Sequence, residues 1–273
     1  MTADLQSVEP QPGVAKPDPV LVVNALTRSF GGLAAVNVEH LEFQRKTITS
    51  LIGPNGAGKT TFFNLLTGFD DADSGDWHLN GSGLAGVPAF RVARQGMVRT
   101  FQLTKSLSRL TVLENVMLAS PDHSGERALR AVFGGWGAKE RAVEAQALTQ
   151  LERFGMAHMV DEFAGSLSGG QRKLLEMARA LMVDPEVVML DEPMAGVNPA
   201  LTQAILEHIK SLRDEGRTVI FVEHDMDVIQ EISDWIVVLA EGRVIAEGTP
   251  DDIATNEKVI EAYLGAEFGR AAE

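Results

Sequence analysis

One segment sets the architecture of this chain: Ile48-Thr49-Ser50-Leu51-Ile52-Gly53-Pro54-Asn55-Gly56-Ala57-Gly58-Lys59-Thr60-Thr61-Phe62-Phe63-Asn64-Leu65-Leu66. A β-branched run precedes the glycines and a helical pattern from Lys59 to Leu66 follows them, which predicts strand, loop and helix in succession. Such a glycine loop lets backbone N–H groups curl around a phosphate, and the helix start adds partial positive charge. A plain glycine turn before a helix is the alternative, but the flanking strand and helix favour a phosphate-binding loop.

The nucleotide-binding candidates follow from this loop. Lys59 is expected to reach the β- and γ-phosphates, and the Thr60 hydroxyl suits Mg²⁺. Phe30, which precedes Gly31-Gly32, could stack on an adenine ring, although a place in the core is equally open. The full set comprises Phe30, Gly53, Pro54, Asn55, Gly56, Ala57, Gly58, Lys59, Thr60 and Thr61.

A second buried strand is predicted at 187–190, and it ends in Asp191 and Glu192. At the carboxyl end of a strand, one carboxylate can hold a metal-bound water and the next can take a proton from an attacking water. Acids that merely cap a strand and meet solvent are the alternative, and the phosphate loop upstream argues against it. Asp191 is therefore the candidate on the Mg²⁺ side, and Glu192 is the candidate general base.

His224 and Gln102 are weaker candidates when each is considered alone. His224 follows the predicted strand 218–222, next to the Asp191 strand, so a contact with the γ-phosphate is expected. A lone histidine at a strand end is more often a surface residue. Gln102 follows Arg99-Thr100-Phe101, and glutamines in loops are usually solvated side chains.

The pentapeptide Leu167-Ser168-Gly169-Gly170-Gln171 precedes a predicted helix at 172–182. Leu174, Leu175, Ala178 and Leu181 share one face of that helix. Its start therefore carries free N–H groups and forms a second anion site. One chain with two phosphate-binding helix starts requires an explanation.

The remaining pattern predicts an α/β protein with a mostly parallel core sheet. Continuous β-branched runs at 218–222 and 236–239 alternate with helices, which indicates a parallel sheet covered on both faces. Helix-forming stretches replace strands in the middle of the chain, so a helical insert is expected at about 103–180. Residues 1–20 carry four prolines among polar residues and are expected to bury little, as a flexible tail. One domain is assigned to 21–265 and a C-terminal tail to 266–273.

Composition excludes several classes of protein. The net charge of −14 and the pI near 4.9 argue against a general nucleic-acid binder, which needs a basic footprint. The chain has no cysteine, and no apolar run approaches the length of a membrane-spanning helix. The N-terminus has no apolar core, so we do not expect it to act as a secretory signal. We therefore expect a cytoplasmic protein whose membrane role, if any, comes through a partner.

Together these residues resemble the ATP-binding subunits of ABC transporters over essentially all of residues 21–265. The matching motifs, in chain order, are 53–60, Gln102, 167–171, 187–192, 195–199 and His224. Within that family the chain looks most like the branched-chain amino-acid importer ATPases, on the segments 28–33, 99–102, 195–199, 223–226, 244–250 and 262–265. Gly169 departs from them, since those importers often carry a bulkier residue at this position.

The resemblance implies an ABC-type P-loop ATPase, with an N-terminal antiparallel β subdomain and an inserted α-helical subdomain. It implies ATP and Mg²⁺ as cofactors, with Glu192, His224 and Gln102 in catalysis and Thr60, Gln102 and Asp191 around the metal. In that family two subunits sandwich two ATP molecules head to tail, so 167–171 of one subunit serves the ATP of the other.

The partners implied are a second ABC ATPase subunit, identical or sister, and transmembrane permease subunits. An extracytoplasmic solute-binding protein is implied indirectly, and the place implied is the cytoplasmic face of the cell membrane, held peripherally. The ATPases of urea or short-amide import and of lipopolysaccharide-type export share parts of the pattern. A soluble ABC ATPase acting on nucleic acid or ribosomes is a rival, but the single cassette and acidic charge disfavour it. A free-standing regulatory ATPase is a further alternative.

Overall fold

The computed structural model describes residues 5–100, 107–121 and 136–270, and two compact units divide the chain. The first, here the core unit, comprises Met1–Arg99, Glu186–Pro193 and Ile209–Glu273. The second, here the helical unit, comprises Thr100–Pro185 and Met194–His208. The sequence places its helical insert at about 103–180, within the first segment of the helical unit.

The strands of the described residues all lie in the core unit. They are β1 (Pro19–Phe30), β2 (Leu33–Gln44), β3 (Ile48–Ile52), β4 (Ser74–Leu79), β5 (Ser82–Gly83), β6 (Met97–Arg99), β7 (Val187–Asp191), β8 (Thr218–Val222), β9 (Trp235–Ala240) and β10 (Arg243–Gly248). The helices are α1 (Lys59–Leu66), α2 (Ala89–Arg94), α3 (Val112–Met117), α4 (Trp136–Arg153), α5 (Gly169–Ala180), α6 (Pro199–Asp214), α7 (Met226–Ile232), α8 (Pro250–Ala254) and α9 (Glu257–Arg270).

Two sheets form the core unit. The larger one has the strand order β10-β9-β3-β8-β7-β6, and it is parallel except for β10, which pairs antiparallel with β9. Every residue of β3, β7 and β8 is buried, which explains their continuous apolar sequences. The smaller sheet is antiparallel, in the order β2-β1-β4-β5. The predicted fold class is thereby confirmed.

The helical unit contains α3, α4, α5 and the start of α6. Thr111 begins α3 with a capping box, since its side chain accepts from the Glu114 N–H and Glu114 accepts in return. The Phe154 ring meets His208 edge-on at 4.6 Å. Burial, followed by the nearby Arg153 charge, lowers the pKa of His208.

The N-terminal segment corrects one expectation. Leu5 and Lys16 are buried, although the sequence predicts that residues 1–20 bury little. Glu247 of β10 explains the packing, because its carboxylate accepts hydrogen bonds from the Gly13 N–H at 2.6 Å and from Lys16 Nζ at 2.7 Å. The side chains of Lys16 and Glu247 are both fully buried. The proline-rich, polar composition of this segment therefore does not reveal that the distant Glu247 carboxylate holds it in place.

Among the described residues, no helix is both long and apolar enough to cross a bilayer.

Candidate nucleotide site

The phosphate loop lies between β3 and α1 in the core unit, as the sequence predicts. Gly53 and Gly58 adopt φ angles of 147° and 97°, in the region that side chains disfavour. A Cβ on Gly53 would overlap the Leu239 carbonyl, and one on Gly58 would overlap the Ala35 carbonyl. Only glycine at these positions lets the chain turn and then start α1 with its N–H groups directed at the loop.

Lys59 is buried at the first position of α1. Its Nζ donates hydrogen bonds to the carbonyls of Gly53 at 2.6 Å and Pro54 at 3.0 Å, inside the loop. Burial lowers the pKa of Lys59, while the charges of Glu192 and then Asp191 oppose that shift. The ammonium and the two acids therefore share one electrostatic environment.

Asp191 ends β7 and is almost completely buried, with 3 % of its surface exposed. Its Oδ2 accepts a hydrogen bond of 2.6 Å from Arg99 Nη2. A buried carboxylate needs such a partner, because desolvation of an unpaired charge is costly. The alternative that this acid meets solvent is wrong for Asp191.

Glu192 follows Asp191 with a φ of 47°, in the left-handed region that non-glycine residues rarely adopt. Its N–H still donates to the Val222 carbonyl of β8 at 3.0 Å. The chain therefore turns directly after the last hydrogen bond between β7 and β8. The turn directs its side chain to His224, whose Nε2 lies 2.7 Å from Glu192 Oε1. Backbone strain of this kind is common at functional sites.

The candidates Phe30 and Gln102 have different outcomes. Phe30 ends β1 with 49 % of its surface exposed, and the Arg28 guanidinium covers its ring at 4.8 Å from the centroid. The ring therefore lies outside the core, where a base could stack on it. Gln102 lies outside the described residues.

The pentapeptide 167–171 begins α5 in the helical unit. Ser168 is its N-cap and forms a capping box with Gln171, at 3.3 Å from the Gln171 N–H and 2.9 Å in return. The N–H groups of Gly169 and Gly170 are the ones that this helix start leaves for an anion. Gly170 is buried, and a Cβ there would collide with Leu201 of α6. The predicted second anion site therefore has the required helix start.

Two residues of the site were missed by sequence reasoning. The first is Arg99, which binds Asp191. His224 was predicted because it is a polar residue at the end of a strand beside β7, and Arg99 has the same position at the end of β6. Tyr263 of α9, the only tyrosine of the chain, lies where the Gly53 backbone affects its pKa. Burial raises the pKa of Tyr263, and the Gly53 backbone opposes the shift. No local pattern connects residue 263 with residue 53.

The oxygen donors of this site fit Mg²⁺. In phosphate sites Mg²⁺ is usually held by one or two protein side chains, by phosphate oxygens and by waters. Asp191 and Thr60 offer a carboxylate and an exposed hydroxyl of this kind. When bound, the ion would neutralise charge on the phosphates.

The parallel sheet, the glycine loop with its lysine, and the strand that ends in two acids define a P-loop nucleotide-binding protein. Comparison with known proteins narrows this class. Residues 36–195 match the family described as ABC transporter, and residues 243–269 match the one described as branched-chain amino acid ATP-binding cassette transporter. The chain belongs to the ABC transporter family, and it is the ATP-binding, ATP-hydrolysing type of subunit.

Individual relatives agree over almost the whole chain. One is the "Probable branched-chain amino acid transport ATP-binding protein LivG" of Archaeoglobus fulgidus, 43 % identical over 91 % of this chain and 96 % of its own. Another is the high-affinity branched-chain amino acid transport ATP-binding protein BraF of Pseudomonas aeruginosa, 42 % identical over 90 % and 98 %. A crystal structure of the ADP conformation of an ATP-binding cassette of an ABC transporter superposes with a TM-score of 0.79. It is 34 % identical and covers 90 % of this chain and 99 % of that one.

Proposed function

We propose that this ATPase powers an importer of branched-chain amino acids. The observation that carries the proposal is identity of 42–43 % with LivG and BraF proteins over about nine tenths of the chain. The match of residues 243–269 supports it, because that segment lies outside the general ATPase motifs. The same likeness supports permease subunits as partners and a peripheral place on the cytoplasmic face of the cell membrane.

Glu192 is the proposed general base for the attacking water. Its Oε1 lies 2.7 Å from His224, so the histidine can fix its rotamer as well as contact the γ-phosphate. Lys59 binds the β- and γ-phosphates, and the loop from Gly53 to Thr61 surrounds them. Phe30 stacks on the adenine ring, and Gln102 is assigned to the metal and the attacking water.

Mg²⁺ is the proposed metal, and the Thr60 hydroxyl and, through a water, the Asp191 carboxylate would hold it. Asp191 keeps its carboxylate fixed through Arg99, so little reorganisation is needed on binding.

A head-to-tail dimer is the proposed working form. The α5 start carries N–H groups suited to an anion, and the core unit already has its own phosphate loop at Lys59. A second subunit, identical or sister, explains why one chain has two such phosphate-binding sites. Ser168, Gly169 and Gly170 of one subunit then face the γ-phosphate held by the other, with Leu167 and Gln171 supporting that helix start. ATP shifts the equilibrium towards the closed dimer only to the extent that it binds the closed dimer more tightly than the open form.

The substrate is testable by purifying the membrane complex through this subunit. Its permease and its extracytoplasmic solute-binding protein are identified by mass spectrometry, and the binding protein is titrated with leucine, isoleucine, valine and urea. Saturable binding of the branched-chain amino acids with no response to urea supports the proposal. Binding of urea alone, or a complex with an exporter permease, contradicts it.

A further inference from the structure

Arg99 joins two parts of the nucleotide site. It is the last residue of β6, which pairs in parallel with β7, the strand that ends in Asp191. Its Nη2 donates to Asp191 Oδ2 at 2.6 Å, and its Nη1 donates to Asn64 Oδ1 at 2.5 Å. Asn64 belongs to α1, the helix that starts from the phosphate loop. One guanidinium thus connects the acid-bearing strand with the phosphate-loop helix.

This connection is buried. The side chains of Arg99 and Asp191 are only 3 % and 4 % exposed, and the guanidinium lies 5.4 Å from the centre of the Phe63 ring. Charge-assisted bonds are strong in such surroundings, and a planar guanidinium holds its two acceptors in one geometry. A lysine could pair with Asp191 as a point charge, but it lacks the fork that reaches Asn64 at the same time.

We propose that Arg99 is a positioning residue that orients the Asp191 carboxylate for the metal. This rests on the proposed function of Asp191 on the Mg²⁺ side. Arg99 donates to Oδ2 of Asp191 and also to Asn64, so the carboxylate that would hold a metal-bound water keeps a fixed place relative to α1. Residues that orient a metal-side carboxylate affect metal affinity without touching the metal themselves.

The test measures metal affinity separately from turnover. A fluorescent ATP analogue is bound in EDTA by excess full-length protein, and the bound complex is then titrated with Mg²⁺. The variants are Arg99→Lys and Asn64→Leu, and Asp191→Asn is the reference for loss of the carboxylate. Arg91→Lys makes the same exchange on the exposed surface of α2 and is the matched control.

Arg99→Lys is expected to raise the half-saturating Mg²⁺ concentration about tenfold. Its affinity for the analogue in EDTA should stay within about twofold of the parent, because Arg99 does not touch the phosphate loop's N–H groups. Asn64→Leu should shift the Mg²⁺ titration in the same direction, and Arg91→Lys should leave it unchanged. These results together support the positioning role.

Unchanged Mg²⁺ titrations in Arg99→Lys and Asn64→Leu, with a clear shift in Asp191→Asn, overturn the inference while the proposed function stands. An unchanged titration in Asp191→Asn itself overturns the metal assignment of Asp191. If Arg99→Lys loses analogue binding in EDTA and has a lower melting temperature, the Mg²⁺ titration of Asn64→Leu tests the proposal instead. That variant keeps the ion pair and removes only the tie to α1.

Discussion

His224 Nε2 lies 2.7 Å from Glu192 Oε1, although the two residues are separated by 32 positions in the chain. The contact arises because β7 and β8 are parallel neighbours, so their carboxyl ends meet at one edge of the sheet. Glu192 turns out of β7 with a positive φ angle, and His224 follows the end of β8. His224 therefore holds the carboxylate of Glu192, the proposed base, without the help of a substrate.

Glu192→Gln should lower ATP hydrolysis by about 10²-fold or more, since the amide cannot accept the water's proton. ATP binding should persist, and the ATP-bound variant should accumulate as a dimer. Radiolabelled ATP turnover and size-exclusion chromatography measure the two effects. The control Glu39→Gln makes the same exchange at an exposed position of β2. Full turnover by Glu192→Gln would remove the assignment.

His224→Ala should slow hydrolysis as well, and its effect should not add to that of Glu192→Gln. Residues that act as a unit show strongly non-additive losses. The rate of the double variant should therefore equal that of Glu192→Gln within about threefold. Fully multiplicative losses would mean that the 2.7 Å contact has no part in the mechanism.

Lys59→Ala should weaken ATP binding at least tenfold, because it removes the buried cation of the phosphate loop. Equilibrium titration with ATP measures the loss, and Lys258→Ala on the exposed side of α9 is the control. Unchanged affinity in Lys59→Ala would contradict the loop assignment.

Ser168→Arg should spare ATP binding and abolish cooperative hydrolysis, because a long cation at the α5 start blocks the N–H groups of Gly169 and Gly170. Thr149→Arg, on the exposed face of α4 in the same unit, should keep both properties. The measurements are ATP titration and hydrolysis rate against protein concentration. Normal cooperative activity of Ser168→Arg would mean that the pentapeptide is not at a subunit interface.

Lys16→Met should lower the free energy of unfolding by about 3 kcal/mol at neutral pH, because it leaves the buried Glu247 charge without its cation. Urea unfolding measures the change, and Lys258→Met is the exposed control. A loss no larger than that of the control would show that the N-terminal segment is not fixed by this pair.

The effect of Lys16→Met on the free energy of unfolding should change with pH in one direction. Burial lowers the pKa of Lys16 from its ordinary value of 10.5, and Glu247 opposes this shift. Between the lowered pKa and 10.5 the unfolded chain binds a proton that the folded chain does not. The stability difference between the parent and Lys16→Met should therefore grow as the pH rises through this window. A shrinking difference would contradict the direction of the shift.

The sequence predicts local elements well where one pattern decides them. The predicted helix Lys59–Leu66 and the predicted strand Thr218–Val222 have the same bounds in the structure. The α5 helix begins at Gly169 rather than 172, because the Ser168 cap outweighs the low helix propensity of two glycines.

The sequence did not predict some contacts between residues far apart in the chain. Lys16 and Glu247 are 231 positions apart, and nothing local in the proline-bearing segment marks a buried lysine. The same holds for Tyr263 with Gly53, while Arg99 required knowledge that β6 lies beside β7. Such pairs depend on strand order and chain packing, which periodicity does not encode.

In the proposed dimer, the pentapeptide 167–171 of one subunit serves the ATP bound to the other. The chain has no cysteine, so Ser166→Cys, in an exposed position two residues before Ser168, can carry a single maleimide-benzophenone crosslinker. The labelled protein, with Glu192→Gln added, is irradiated in the purified transporter complex with and without ATP. We expect an ATP-dependent adduct with the phosphate loop of a second ATPase chain, identical or sister, located by mass spectrometry. An adduct confined to the labelled chain, or one that forms equally without ATP, would contradict it.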